Sequence, residues 1–268
     1  MTTGALIFAF NNECTDYVSM AAWTAQRIRR FLDIPVAVVT NDPKHKDISV
    51  FDKVVVAKAE AGGNRYFDDY DASVTWFNAS RVDAYDLSPW DCTLLLDADY
   101  VIDSSNLKVV LKSSQDFMCF RDAFDLAAPI NSDGLLNTFG RYKFPMWWAT
   151  VIKFNKTVQS QYIFDCMKMI KKNWRHYCDL YGIERGSYRN DYALSIAIGI
   201  VSGHTLKIDA IPWSMPSVLP EDDLRTNGSQ WLINYQDSQN KRRQFYMTGM
   251  DFHAMGKRHL EAVIANQR

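Results

Sequence analysis

Apolar positions along this chain come in blocks, and the period changes from block to block. Ala5 to Phe10 is a short unbroken apolar run that stops at the polar turn Asn11-Asn12, the pattern of a buried strand. Tyr17 to Phe31 then carries Val18, Ala21, Ala22, Ala25 and Ile28 at helical spacing. Arg27, Arg29 and Arg30 lie towards its end, where cations suit the helix dipole. Ile34 to Thr40 and Lys53 to Ala57 are two more apolar, β-branched runs, the first closed by Asn41-Asp42-Pro43. Ser73 to Leu87 reads as a helix, and Thr93 to Leu96 as a strand that stops at Asp97-Ala98-Asp99. Later in the chain, Ala149 to Phe154 reads as a strand, Val158 to about Leu180 as one helix and Asp191 to Ile200 as another.

Strands alternating with helices in this order predict an α/β fold with a central, mostly parallel sheet flanked by helices. With no repeat and no linker, the expectation is one Rossmann-like domain over residues 1–268. Its first part, residues 1–103, reads as a nucleotide-binding half and residues 104–268 as an acceptor side. Composition agrees with a folded chain, since 47% of residues are apolar and 23% charged. The formal charge of -1 excludes a globally basic nucleic-acid coat, so a polyanion must be met locally. Five cysteines without a CxxC pair imply buried thiols in a cytoplasmic protein. No stretch reaches the roughly 18 apolar residues of a membrane span, and no export signal opens the chain, so no membrane partner is expected.

The chemistry gathers at the end of the fourth apolar strand. Residues i and i+2 of an extended segment point the same way, so Asp97 and Asp99 offer two hard oxygen ligands on one exposed strand end. Open α/β sheets bind ligands at that edge. Such a pair suits Mn²⁺ or Mg²⁺, whose remaining positions go to phosphate oxygens and water. The competing reading gives one Asp to a helix cap and the other to a surface ion pair.

Three segments together resemble the GT-A glycosyltransferases, and family eight, the glycogenin-like retaining enzymes, in particular. They are Phe77-Asn78-Ala79-Ser80-Arg81, Leu87-Ser88-Pro89-Trp90-Asp91 and Leu94-Leu95-Leu96-Asp97-Ala98-Asp99-Tyr100-Val101. A fourth, His253-Ala254-Met255-Gly256-Lys257-Arg258, resembles that family's His-x-x-Gly-x-x-Lys signature, although Lys257 follows the glycine directly. The resemblance implies transfer of a sugar from a nucleoside diphosphate sugar, with uridine as the expected nucleoside, to an acceptor hydroxyl with retention. It implies Asp97, Asp99 and His253 as metal ligands, Gly256 and Lys257 at the diphosphate, and Asn78, Arg81 and Ala98 on the donor. It also implies that Phe8, Phe10, Asn11, Asn12, Thr40 and Asp42 hold the base and ribose. Arg81 and Asp191 are the expected catalytic residues, and an Asp at the start of a helix is equally a good cap. In place of the family's Asn-x-Gly segment the chain has Trp147-Trp148-Ala149-Thr150, which implies a different sugar pocket.

The opening, Ala5 to Glu13 with Asp16-Tyr17-Val18, resembles small phage-encoded glycosyltransferases that decorate hydroxymethylcytosine in DNA. That resemblance makes DNA the expected acceptor, in the host cytoplasm if the chain is phage-encoded. Lys171 to Tyr177 and Lys241 to Tyr246 interleave cations with aromatics, as phosphate-tracking and base-stacking surfaces do, and as solvated helix faces also do. The alternatives are a glycan or protein acceptor, a haloacid-dehalogenase-type phosphatase and an inactive sugar-binding module. The phosphatase motif comes early in its chain, whereas Asp97 is mid-chain. A nucleotidyltransferase would want a Gly-rich basic loop after the first strand, and Asn11-Asn12-Glu13-Cys14 is not one.

Overall fold

The computed structural model describes residues 1–67, 71–127, 137–184, 186–205, 208–237 and 239–267. Strand β1 (Thr3–Phe8) is followed by helix α1 (Tyr17–Leu32), strand β2 (Val36–Thr40) and strand β3 (Lys53–Val56). The three strands are parallel. Helix α1 starts where the Asp16 side chain accepts the Ser19 N–H, a cap that satisfies one of the free donors of the first turn. It ends at Asp33, whose left-handed backbone (φ 59°) lets its N–H donate to the Ile28 and Arg29 carbonyls.

The helix expected over residues 73–87 is instead a strand followed by two short helical turns. Strand β4 (Asn64–Phe67) and strand β5 (Ala72–Thr75) form an antiparallel hairpin, then come a 3₁₀ turn (Ala79–Asp83) and helix α2 (Ala84–Leu87). Val74 and Thr75 are β-branched and favour extended backbone. The hairpin is closed by Gly62 and Trp76, the Gly62 N–H donating to the Trp76 carbonyl at 2.7 Å.

Strand β6 (Cys92–Leu96) lies parallel to β1, with Ile7 opposite Leu96. Strand β7 (Tyr100–Val101), helix α3 (Leu107–Lys112), strands β8 (Phe117–Phe120) and β9 (Ala123–Asp125), the small ladder of β10 (Thr138–Phe139) and β11 (Phe144–Pro145), and β12 (Trp148–Asn155) follow. The main sheet runs β3-β2-β1-β6-β12-β8, and β12 is antiparallel to both its neighbours. Leu94, Leu95 and Leu96 are fully buried at its centre, so truncating one of them to Ala should cost about 2–5 kcal/mol.

The helix expected over residues 158–180 is two, α4 (Val158–Lys172) and α5 (Trp174–Tyr181), because Asn173 ends one and starts the other. Helix α6 (Asn190–Val201) packs on α4 and β12. The C-terminal part adds β13 (Met215–Val218), the meander β14 (Asp223–Thr226), β15 (Trp231–Gln236) and β16 (Arg242–Met247), then β17 (Phe252–Ala254) and helix α7 (Lys257–Gln267). A second sheet, β7-β17-β13-β9, brings this late strand beside the segment that follows Asp99. Of the cysteines, Cys92, Cys119, Cys166 and Cys178 are buried free thiols and Cys14 is half-buried. Among the described residues no helix is long and apolar enough to cross a membrane.

Candidate functional site

Because β1 and β6 are parallel, Phe8 and Asp97 leave the main sheet at the same edge, and antiparallel β12 begins there with Trp148, Ala149 and Thr150. The Asp97-Ala98-Asp99 turn is tied down from three directions. The Asp97 N–H donates to the Thr150 carbonyl (2.9 Å), the Ala254 N–H donates to the Asp99 carbonyl (3.0 Å), and the Thr24 hydroxyl donates to the Ala98 carbonyl (2.7 Å). A turn held this way presents its carboxylates in one geometry, without the ordering cost a mobile loop would carry on binding.

Asp97 is held by a buried cation. The Arg81 Nη1 donates to Asp97 Oδ1, and Nη2 donates to the Ala149 carbonyl (2.6 Å) and more loosely to Thr150 (3.3 Å). Burial lowers the Arg81 pKa to about 10, against the opposing pull of Asp191 and Asp99, so the guanidinium stays charged at neutral pH. Its fork is committed to Asp97 and the β12 carbonyls; Asn78 Nδ2 approaches the same Asp97 oxygen at 3.5 Å.

Asp99 is not on an exposed strand end as expected; it is 5% exposed, because β17 and α7 cover it. Lys257 Nζ donates to Asp99 Oδ2, and His253 Nε2 lies 3.4 Å from the same oxygen. Burial alone would raise the Asp99 pKa, but the charges and hydrogen bonds of Lys257 and His253 outweigh it and hold the carboxyl well below the usual range. Asp97, Asp99 and His253 each offer a ligand atom, and these atoms lie within 4.8 Å of one another. Two carboxylates and an imidazole suit a divalent ion such as Mn²⁺. The fit is supported by His253, whose Nδ1 is buried without a hydrogen-bond partner among the described residues while Nε2 faces Asp99.

The cleft above this cluster is lined by Phe8, Phe10, Asn12, Asn78, Arg81, Asp97, Ala98, Asp99, Asp191, His253 and Lys257, so eleven of the residues expected at the site from the sequence meet in one place. Asn11, Thr40, Asp42 and Gly256 do not line it. Asn11 Oδ1 accepts the Val18 N–H and Thr40 Oγ1 accepts the Asp42 N–H, so these side chains shape the strand ends; the Gly256 carbonyl accepts the Leu260 N–H in the first turn of α7. Asp191 does not cap α6, whose N-cap is Arg189. Its Oδ1 accepts the Ala149 N–H at 2.9 Å, which joins the start of α6 to the start of β12.

Sequence reasoning missed Tyr17, Trp76, Trp148, Arg189 and Asn190, which also line the cleft. Asn190 is 6% exposed, with Nδ2 donating to the Asn78 carbonyl and Oδ1 unpaired among the described residues. Asp191 marks a helix start in the sequence, but that Arg189, Asn190 and Asp191 all reach the cleft depends on how α6 meets β12.

Of the two cationic-aromatic segments, Lys171 to Tyr177 is divided: Lys172, Arg175 and His176 are exposed, whereas Lys171, Trp174 and Tyr177 are engaged by the fold. Lys171 pairs with Glu60, Trp174 Nε1 donates to the Gly186 carbonyl, and Tyr177 is buried. Lys241 to Tyr246 runs along β16, where Arg242 and Tyr246 are exposed and Arg243 pairs with Asp237 (2.9 Å).

No protein-family model matches the chain, and no curated protein matches it. Among solved structures it is similar to the galactosyltransferase LgtC in complex with donor and acceptor sugar analogs, at 11% identity over 74% of this chain and 70% of that one, TM-score 0.46. It is also similar to the glycosyltransferase GlyE of Streptococcus pneumoniae TIGR4 (11% identity, 75% of this chain and 43% of that one, TM-score 0.42). A third similar structure is mouse xyloside xylosyltransferase 1 (10% identity, 76% and 83%, TM-score 0.46). Likeness at this level transfers no activity, substrate or site residue to this chain.

Proposed function

We propose that this chain is a metal-dependent glycosyltransferase of the GT-A kind, moving a sugar from a nucleoside diphosphate, uridine diphosphate in this reading, to an acceptor hydroxyl. The observation that carries it is the Asp97, Asp99 and His253 cluster, with ligand atoms within 4.8 Å, at the carboxyl edge of a parallel sheet and beside an aromatic-lined cleft. Asp97, Asp99 and His253 would hold Mn²⁺ or Mg²⁺, which supplies positive charge to the diphosphate leaving group. Phe8, Phe10 and Asn12 take the base and ribose. Arg81 fixes Asp97, and Lys257, whose Nζ reaches into the cleft, faces the diphosphate oxygens. Asp191, held against the β12 backbone, faces the transferring sugar. In the reaction the bond from the anomeric carbon to the diphosphate breaks, and the acceptor oxygen forms the new one with loss of its proton. The protein's part is position and electrostatics.

The finer terms are retention of anomeric configuration, residues 1–103 as the donor half, and 5-hydroxymethylcytosine in DNA as acceptor. Retention rests on the family-eight resemblance; the DNA reading rests on the phage-like opening and on the exposed cations Lys172, Arg175, Lys241 and Arg242 of the two cationic-aromatic segments. Thermal shifts with a panel of nucleoside diphosphate sugars, with and without Mn²⁺, test the donor; a ligand at 100 times its dissociation constant adds about 2.7 kcal/mol. Digesting DNA to nucleosides after incubation with labelled donor tests the acceptor. Sugar on hydroxymethylcytosine alone is the expected result; efficient transfer to a saccharide or protein hydroxyl with none to DNA would overturn it.

A further inference from the structure

Helix α6 carries one serine, Ser195, set in the apolar run Ala193 to Val201 and fully buried. A buried hydroxyl is unfavourable unless it is bonded, and this one is bonded twice. Its Oγ accepts the Trp147 N–H at 2.7 Å and donates to the Asp191 carbonyl, one turn back, at 2.7 Å. The Trp147 carbonyl, at 3.4 Å, is the poorer acceptor. Asp191 makes the companion contact, its Oδ1 accepting the Ala149 N–H at 2.9 Å.

Asp191 and Ser195, four residues apart, share one face of α6. Trp147 and Ala149 flank Trp148, at the end of β12 that runs beyond its last pairing with β6, Val151 opposite Leu96. The β12 ladder with β8 shifts register in the same stretch, between Trp148 and Ile152. Where the ladders lapse, α6 supplies the acceptors for the backbone N–H groups on either side of Trp148. The result is a clamp around Trp148, which is buried and lines the cleft. The clamp also pins one oxygen of Asp191 and leaves Oδ2 for the cleft, with the Arg189 guanidinium 3.6 Å away. Ser195 itself does not line the cleft.

We propose that Ser195 is a positioning residue: by holding α6 against the first residues of β12, it sets the direction in which Asp191 Oδ2 and the Trp148 indole meet the transferring sugar. This deepens the glycosyltransferase reading and rests on it. A carboxylate pinned by one oxygen offers the other to a sugar hydroxyl in one geometry, and a displacement of about 1 Å at such a group can cost about 100-fold in rate. Ser195 acts through Asp191 and Trp148 without touching the donor, so its loss falls on turnover and not on the grip on the nucleotide.

The test uses two readouts on the whole chain, and the first needs no substrate. Amide exchange followed residue by residue by NMR, corrected for any change in global stability, should show Ala149 losing about tenfold in protection in Ser195→Ala, alongside Trp147. Ala149 is the informative proton because its acceptor is Asp191, not Ser195. The second readout is release of UDP from UDP-glucose, UDP-galactose and UDP-xylose with Mn²⁺. Ser195→Ala should lower kcat by about 10–100-fold, leave the calorimetric affinity for UDP unchanged, and add nothing in an Asp191→Ala background. Ser195→Cys fills the same space with a weaker hydrogen-bonding group and should fall between wild type and Ser195→Ala in both readouts. Unchanged Ala149 protection in Ser195→Ala, or the same kcat loss with and without Asp191, overturns the inference. A wild type that releases no UDP from any of the three sugars sinks the glycosyltransferase reading instead, and Ala149 exchange then decides alone whether Ser195 positions Asp191.

Discussion

Asp99 and Asp222 are equally buried, at 5% exposure each, and their protons are held in opposite senses. At Asp99, the charges of Lys257 and His253 overcome the cost of burial and keep the carboxyl ionised. At Asp222, burial acts with the repulsion of Asp125 and Glu221 to push the pKa up to about 7, and one oxygen has no partner among the described residues. Acidic residues in a protein interior therefore do not announce a cation site by their number. What distinguishes the cleft is that its carboxylates are balanced by cationic side chains, one of which, Lys257, a divalent ion could replace, whereas Asp222 beside Asp125 is relieved most simply by a proton.

The sharpest way to break this contrast is to remove the charge at the cleft. Asp99→Asn should lower transfer by about 10³-fold, equivalent to about 4 kcal/mol of lost transition-state stabilisation, measured as kcat/KM with Mn²⁺ present. Near-normal turnover, or activity indifferent to EDTA, would place the chemistry elsewhere. Arg81→Ala comes next in size. Its guanidinium is 2% exposed and serves Asp97 and two carbonyls, so urea unfolding should show a loss of about 3 kcal/mol, the lower end for a broken buried pair because Asp97 is 24% exposed and can rehydrate. Added Mn²⁺ should not restore the lost contacts to the β12 backbone.

Lys257 sharpens the comparison because it is anchored differently. Apart from Asp99 its recorded partner among the described residues is the Met255 carbonyl at 3.1 Å, and it opens α7, whereas Arg81 is fixed to the β12 backbone. Lys257→Ala should cost about 1–2 kcal/mol in metal-free urea melts, since it strips a buried carboxylate of one cation, and saturating Mn²⁺ should recover most of that. A deficit as large as that of Arg81→Ala, and as deaf to metal, would show that the two cations are equally structural.

The parallel sheet and the two carboxylates were legible because strand apolarity and the DxD spacing are local facts. Three features were not. The β4-β5 hairpin was hidden under a helix reading, since two β-branched residues, Val74 and Thr75, are too short a local signal and the pairing with β4 that makes them a strand is not visible in their own segment. The burial of Asp99 was invisible because its cover, β17 and α7, lies about 150 residues away in sequence. Trp148 and Asn190 join the cleft only because β12 runs antiparallel and starts at the edge where β6 ends, a matter of topology that no spacing in the sequence encodes.

The last expected effect has the opposite sign to all of these and concerns Asp222. A carboxyl whose folded pKa is raised to about 7 binds a proton in the fold that the unfolded chain, titrating near 4, has already released. Between those values the folded state holds more protons, so this group's contribution to stability falls as pH rises from about 4 to about 7 and is unfavourable above it. Asp99 runs the other way, its contribution being full above about pH 4 and lost only as pH drops through its depressed folded value. Asp222→Asn keeps the shape and removes the ionisation, so it should stabilise the protein increasingly as pH rises from about 4 to about 7, by up to about 4 kcal/mol near pH 8 and by nothing near pH 4, read from urea midpoints across that range. A flat difference across pH, or destabilisation at pH 8, would mean that the pair is neutralised by a bound cation instead of a proton, and the contrast with the cleft would disappear.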